Sequence, residues 1–308
     1  MVSEARSPAE KGRASTGAVL VLVAAALWST GGVGIKVAVA EPLVITGLRS
    51  LFALVFMLGV LVVTARRARV DAADLAPLLR RPLVWGAAAS YAVMVVLFVL
   101  AVRRTTAANA ILLQYAGPIY VALLSGPVLG ERVGVRDLAL VAVCVLGVAL
   151  TFGGELGAGR AVGNVLAIVS GFGFAGLPLL LRRDQAKLAP ELAAHAPLVA
   201  IALGNALAAL VAIPAVLAHP PDGPSAGRTW LVIGALGTLQ IGLPYVLYGE
   251  AVRRLRALQS SLLATVEPVL APIWVVLATG ERPSTLALAG GAVIVGAVAA
   301  QSLARRRG

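Results

Sequence analysis

Three observations predict an all-α integral membrane fold of ten transmembrane helices, arranged as two inverted five-helix repeats. Apolar residues make up 59 % of the 308 residues and charged residues only 13 %, whereas a soluble domain carries about 45–50 % and about 25 %. Apolar runs of the ~20 residues that cross a bilayer recur along the whole chain with mostly short connections. A segment of the first half, 103–132, returns at 253–282 without a gap.

The spans are expected at 16–38, 42–65, 82–102, 106–128, 134–153, 161–181, 192–218, 228–251, 256–278 and 283–304. Residues 1–15 then form an N-terminal tail, 16–153 a first repeat, 161–304 a second repeat and 305–308 a basic C-terminus. The first run is too long for a signal-peptide core and contains Lys36, so it is read as a span. The net charge of +12 does not indicate nucleic acid, because the basic residues sit in short clusters between apolar runs. Nineteen of the 26 Lys and Arg fall on the N-terminal side of the membrane and six on the other, with Arg49 inside a span. Lys and Arg concentrate on the cytoplasmic side, so both termini are expected in the cytoplasm.

In the repeat, Arg103, Arg104, Ala107, Leu112, Leu113, Pro118, Gly130, Glu131 and Arg132 recur at an offset of 150. The first spans of the halves align more weakly at an offset of 146, which sets Trp28 against Phe174 and Arg49 against His195. Each half holds five spans, an odd number, so the second half enters the membrane from the opposite side. Inverted repeats of this kind build alternating-access transporters, with the substrate site near the midplane between the halves.

The stretches ALWSTGGVGIK (26–36), GLRSLFAL (47–54), AANAILLQYAGPIYVALLSGPVLGER (107–132) and SLLATVEPVLAPIWVVLATGER (261–282) resemble the EamA family of the drug/metabolite transporter superfamily. The resemblance runs from about Gly17 to Gln301. It implies ten helices, a central substrate cavity and export of amino acids, other metabolites or toxic compounds. It also implies a bacterial inner membrane and no cofactor. The expected partners are the lipid bilayer and a small-molecule substrate, with a proton as candidate coupling ion, a homodimer as candidate assembly and no nucleic acid. The pairs Glu131–Arg132 and Glu281–Arg282 resemble the family's GE ends and are read as loop ion pairs that help to gate.

Glu267 is the leading site residue. It lies about eleven residues, roughly 16 Å, into its span, near the centre of a ~30 Å core. An ionisable group at that depth is expensive and points to function; the bland alternative is a protonated side chain bonded to a neighbouring helix. Its repeat partner is Gly117, and the partner of Ala264 is Gln114, so an acid and an amide would face each other across the site. Pro118, Pro268, Pro244 and Pro178 are expected to kink their helices and to free carbonyls, including those of Gln114 and Gln240. Arg49 can pair with Glu267, bind a substrate carboxylate or snorkel outward. His195 is expected in the solvated interface, and Glu250 in an ion pair with Arg253 or Arg254. The aromatic candidates are Trp28, Tyr91, Tyr115, Phe174 and Tyr245, with Trp28 foremost because its repeat partner is also aromatic.

One cysteine, Cys144, and two histidines leave no disulfide and no Cys/His metal centre. No GxxxxGK[ST] motif is present, so ATP is not expected to drive the protein directly. A lipid-modifying membrane enzyme would need clustered catalytic groups within the spans, and the sequence offers one Glu, one Arg and a peripheral His there.

Overall fold

The computed structural model describes residues 8–115, 120, 124, 128–130, 134–153, 160–185, 187–252, 254, 263–264, 266–280 and 282–304. The described elements are helical throughout. In the first half they are α1 (Pro8–Ser29), α2 (Gly31–Val37), α3 (Pro42–Ala68), α4 (Ala72–Leu79), α5 (Pro82–Arg104), α6 (Ala107–Gln114) and α7 (Val135–Gly153). In the second they are α8 (Ala161–Gln185), α9 (Pro190–Ala218), α10 (Ala226–Ala235), a π-helical turn (Leu236–Gly242), α11 (Leu243–Val252), α12 (Val266–Thr279) and α13 (Thr285–Ala304).

Among the described residues six segments are long and apolar enough to cross a bilayer: Ser15–Val37, Pro42–Ala68, Pro82–Arg104, Ala161–Leu181, Pro190–Ala218 and Ala226–Ala251. Shorter apolar helices cover Val141–Leu150, Val266–Thr279 and Thr285–Ala297. Helices dominate because lipid offers no hydrogen-bond partners, so each backbone group must be satisfied within the chain. Three of the long helices, α3, α5 and α9, open with proline in the first turn, where its missing N–H has no helical partner to lose.

Exchanging the two halves carries the principal packed pairs onto one another. α5 packs against α8, and its counterpart α11 against α1; α6 packs against α8, and its counterpart α12 against α1. The pairs that exchange would map onto themselves, α3 with α9, α6 with α12 and α7 with α13, also pack together. Gly130 and Gly280, equivalent at the offset of 150, both adopt φ 70°, a left-handed conformation that glycine takes without a Cβ penalty.

Segments expected on one side of the membrane do meet. Lys36 Nζ donates to the Thr105 carbonyl at 3.0 Å, and Arg103 donates to the carbonyls of Ile35, Ala38 and Ala40. At the other end, Arg81 Nη2 donates to the Lys187 carbonyl.

Three local features depart from a plain bundle. The first span is broken at Thr30, between α1 and α2. Hydroxyls satisfy carbonyls at the break: Ser29 Oγ donates to Ala26 O and Thr30 Oγ1 to Leu27 O, both at 2.7 Å. Trp274 Nε1 in turn donates to Ser29 Oγ at 2.9 Å, so the WST triplet is both a break and its repair. A short helix, α4, occupies a stretch expected to be a simple connection, started by a reciprocal Asp71/Asp74 capping box. The π-helical turn ends just before Pro244, and the Leu243 N–H reaches back to Thr238 O. Pro244 has no N–H and its ring crowds the preceding turn, and the wider π ladder accommodates both. By contrast, α8 continues as a single helix through Pro178.

Candidate functional site

The aromatic candidates converge. Trp28 of α1 packs edge-on to Tyr245 of α11, with ring centroids 5.2 Å apart, and against Tyr248 at 5.4 Å. Tyr245 in turn meets Tyr91 of α5 at 5.7 Å. Tyr115, which caps the end of α6, lies 5.4 Å from Phe174 of α8. Glu267, at the N-terminal end of α12, accepts a hydrogen bond from the Tyr115 hydroxyl. Tyr245 lies within electrostatic reach of Glu267, Arg49, Tyr91 and Tyr248. Side chains distant in sequence, from both halves, therefore surround one point.

Trp28, Tyr115, Phe174, Tyr245, Tyr248 and Glu267 are all only partly buried. An aromatic surround with one carboxylate suits an organic cation: the rings offer apolar contact and their negative faces, and the carboxylate offers a counter-charge.

Behind this ring the polar groups are more deeply enclosed. Arg49 is 3 % exposed, so its side chain does not snorkel outward. Nor does it form an ion pair with Glu267 among the described residues; Tyr91 and Tyr245 are the groups within its electrostatic reach. Gln114 is also buried, and its amide donates to Ser170 Oγ at 2.7 Å, which donates on to Met94 O at 2.9 Å. That side chain ties α6 to α8 and α5. Gln240 of the π turn donates to the Trp28 carbonyl at 3.3 Å, while its Oε1 is buried without a partner. Gln240 thereby fastens the π turn to the break in the first span.

Among the remaining candidates, Pro268 stands beside Glu267 in α12 and is buried. Pro118, Glu131, Arg132 and Glu281 lie outside the described residues, and Arg282 is exposed. His195 is 8 % exposed, and its Nδ1 lies 2.8 Å from Glu191 O; the imidazole is enclosed by helix packing where a solvated position was expected. Glu250 pairs with Arg254 at 2.7 Å, the ion pair anticipated. Among the described residues no group of three or more His, Cys, Asp or Glu side chains is arranged to hold a metal.

Sequence reasoning missed Tyr248, Asn205 and Trp274. Tyr248 sits three residues after Tyr245, on the same helical face, a spacing that could have signalled it. Asn205 donates through Nδ2 to the Tyr91 hydroxyl at 3.2 Å, a pairing between α9 and α5 with no local signature.

The fold and this centre define the class: a multi-pass helical membrane protein built from a duplicated unit, with a charged, aromatic-lined site among helices of both halves. The EamA-like transporter family matches residues 15–153 and 161–302, one unit in each half. The chain belongs to the EamA-like transporter family, and it is accordingly a membrane transporter. It is 28 % identical over 203 residues to an uncharacterized transporter of Archaeoglobus fulgidus, spanning 65 % of this chain and 69 % of that one. A solved crystal structure of a protein 23 % identical matches it with TM-score 0.62 over 95 % of this chain and 99 % of the other, a likeness of fold.

Proposed function

We propose that the chain is a secondary transporter that exports a small amphipathic metabolite, an amino acid or a related compound. It works by alternating access across a bacterial inner membrane, with ten crossings in two inverted repeats and both termini in the cytoplasm. The observation that carries this reading is the Glu267 carboxylate inside a surround of aromatic side chains drawn from both halves. Helices that exchange in pairs around such a point can rock against one another and open it to either side.

In this reading Glu267 holds the substrate's ammonium and exchanges a proton as the coupling ion. The Tyr115 hydroxyl occupies the carboxylate while the site is empty, so substrate entry exchanges one hydrogen bond for another. Trp28, Tyr245 and Tyr248 pack the apolar part of the substrate. Their clustering also favours a second reading within the same class, efflux of cationic drug-like compounds, since an organic cation gains from aromatic faces.

Flux in proteoliposomes tests both. A panel of amino acids and organic cations is expected to yield substrates whose movement is lost in Glu267→Gln and in Trp28→Ala. Flux unchanged in Glu267→Gln at every pH would remove that residue from the mechanism.

A further inference from the structure

Among the described residues, the Arg49 guanidinium has no hydrogen-bond partner. It lies within α3, buried to 3 % exposure. A guanidinium has five N–H donors and no acceptor. No carboxylate or carbonyl among the described residues takes a hydrogen bond from it, and its Nε is enclosed without a partner. A buried charge in that state is strongly unfavourable, and proteins normally pair it. Tyr91 and Tyr245, which carry hydroxyls, lie within electrostatic reach of it.

The Tyr91 hydroxyl is oriented from behind. Asn205, fully buried on α9, donates through Nδ2 to the Tyr91 oxygen at 3.2 Å and to Ile201 O at 3.0 Å. A carbonyl can only accept, so the Ile201 contact fixes which end of the amide is nitrogen. The Tyr91 oxygen therefore serves as an acceptor towards Asn205, and its own proton meets no acceptor among the described residues. It is left to donate, like the guanidinium.

We infer that Arg49 and Tyr91 form an anion subsite that takes the carboxylate of the transported compound, with Asn205 as the residue that positions Tyr91. The inference rests on the proposed function for what passes through the centre, and it narrows that function. Glu267 provides for the positive pole of a ligand and Arg49 for a negative one, with Tyr245 within reach of both. Purely cationic compounds would use only half of the site. In the conformation described, the Arg49 and Tyr91 side chains are both buried, so a ligand reaches them only when the halves rock apart.

Purified protein and simple probes test this without a known substrate. Sodium butyrate, compared with sodium chloride at equal ionic strength, is expected to raise the melting temperature of the wild type. At tenfold excess over Kd the rise is about 3–6 °C. Arg49→Gln should abolish that rise and Arg49→Lys should retain much of it. Asn205→Leu should weaken butyrate binding about five- to tenfold while leaving the response to butylammonium chloride intact.

A butyrate response equal in wild type and Arg49→Gln, or none in either, overturns the inference. So does an Arg49→Gln protein that does not fold while Arg49→Lys does, since the protein itself would then need the charge. The two readings fail separately. Flux that depends on Glu267, with no effect of butyrate, leaves transport standing and removes the subsite. An Arg49-dependent butyrate response, with no flux of any amino acid or organic cation, keeps an anion site at Arg49 and removes the proposed export of those compounds.

Discussion

A methyl group added at Gly237 measures how tightly the π turn is seated on α3. A Cβ there would lie 2.4 Å from Arg49 O, 2.5 Å from Phe52 Cβ and 3.0 Å from Ala53 N. Two of the three atoms are backbone of a regular helix, so no side-chain rotation relieves the contact. Ordinary separation requires the turn to back away from α3 by about 1 Å. Overpacking of this kind typically costs about 1–3 kcal/mol, and the rigid partners place Gly237→Ala near 2–3 kcal/mol on that scale. At about 2–4 °C per kcal/mol for a large domain, its melting temperature should fall by about 4–12 °C. Gly296→Ala is the matched control. Among the described residues no atom from beyond its own helical turn lies within 4 Å of its added Cβ, and removing a helical glycine gains about 0.5–1 kcal/mol, so this protein should melt slightly above wild type. Gly31→Ala falls between: its Cβ would meet Gln240 Nε2 at 2.6 Å. The amide can swing aside, but it then loses the Trp28 carbonyl, at about 1 kcal/mol. Thermal melts of the purified proteins should rank Gly296→Ala, wild type, Gly31→Ala, Gly237→Ala from highest to lowest. A Gly237→Ala protein as stable as wild type would refute the reasoning, because the turn would then not be seated on α3 as described.

Tyr115→Phe keeps the ring on Phe174 and removes only the hydroxyl from Glu267; a double-mutant cycle with Glu267→Gln should show a coupling of about 1–2 kcal/mol in melts. Strict additivity would mean the two side chains do not bond. Trp274→Phe should lower stability by about 1 kcal/mol through loss of its bond to Ser29 Oγ, and combining it with Ser29→Ala should add less than the two changes separately. The orientation is tested by single cysteines in a Cys144→Ala background. His219→Cys, exposed at one end, should react with an impermeant maleimide in intact cells. Arg80→Cys, exposed at the other, should react only after permeabilisation. The opposite pattern would reverse the proposed topology.

Much of the site was legible before folding because membrane depth makes polar and aromatic residues conspicuous. Glu267 stood out for its position in an apolar run, and Trp28, Tyr91, Tyr115, Phe174 and Tyr245 for their scarcity. What could not be read was which of them point at one another. Gln114 and Gln240 looked equivalent, each with a backbone carbonyl freed by a proline four residues on, yet the side chain of one ties α6 to α8 and α5 and that of the other binds the break in the first span. Arg49 had three readings, outward snorkelling the foremost, and helix packing buried it instead. His195 looked interfacial from its distance to the helix end, and packing enclosed it.

The apolar runs, the repeat and the charge asymmetry are properties of the chain by itself. A bilayer requires each crossing segment to satisfy its own backbone, so the one-dimensional pattern settles that the chain is helical, crosses repeatedly and is duplicated. Partnership between side chains far apart in sequence belongs to the tertiary structure. The Glu267–Tyr115 bond, the Asn205–Tyr91 bond and the burial of Arg49 depend on helix rotation and approach. These are set by the packing of small residues such as Gly237 against a neighbouring helix, and no local pattern encodes them.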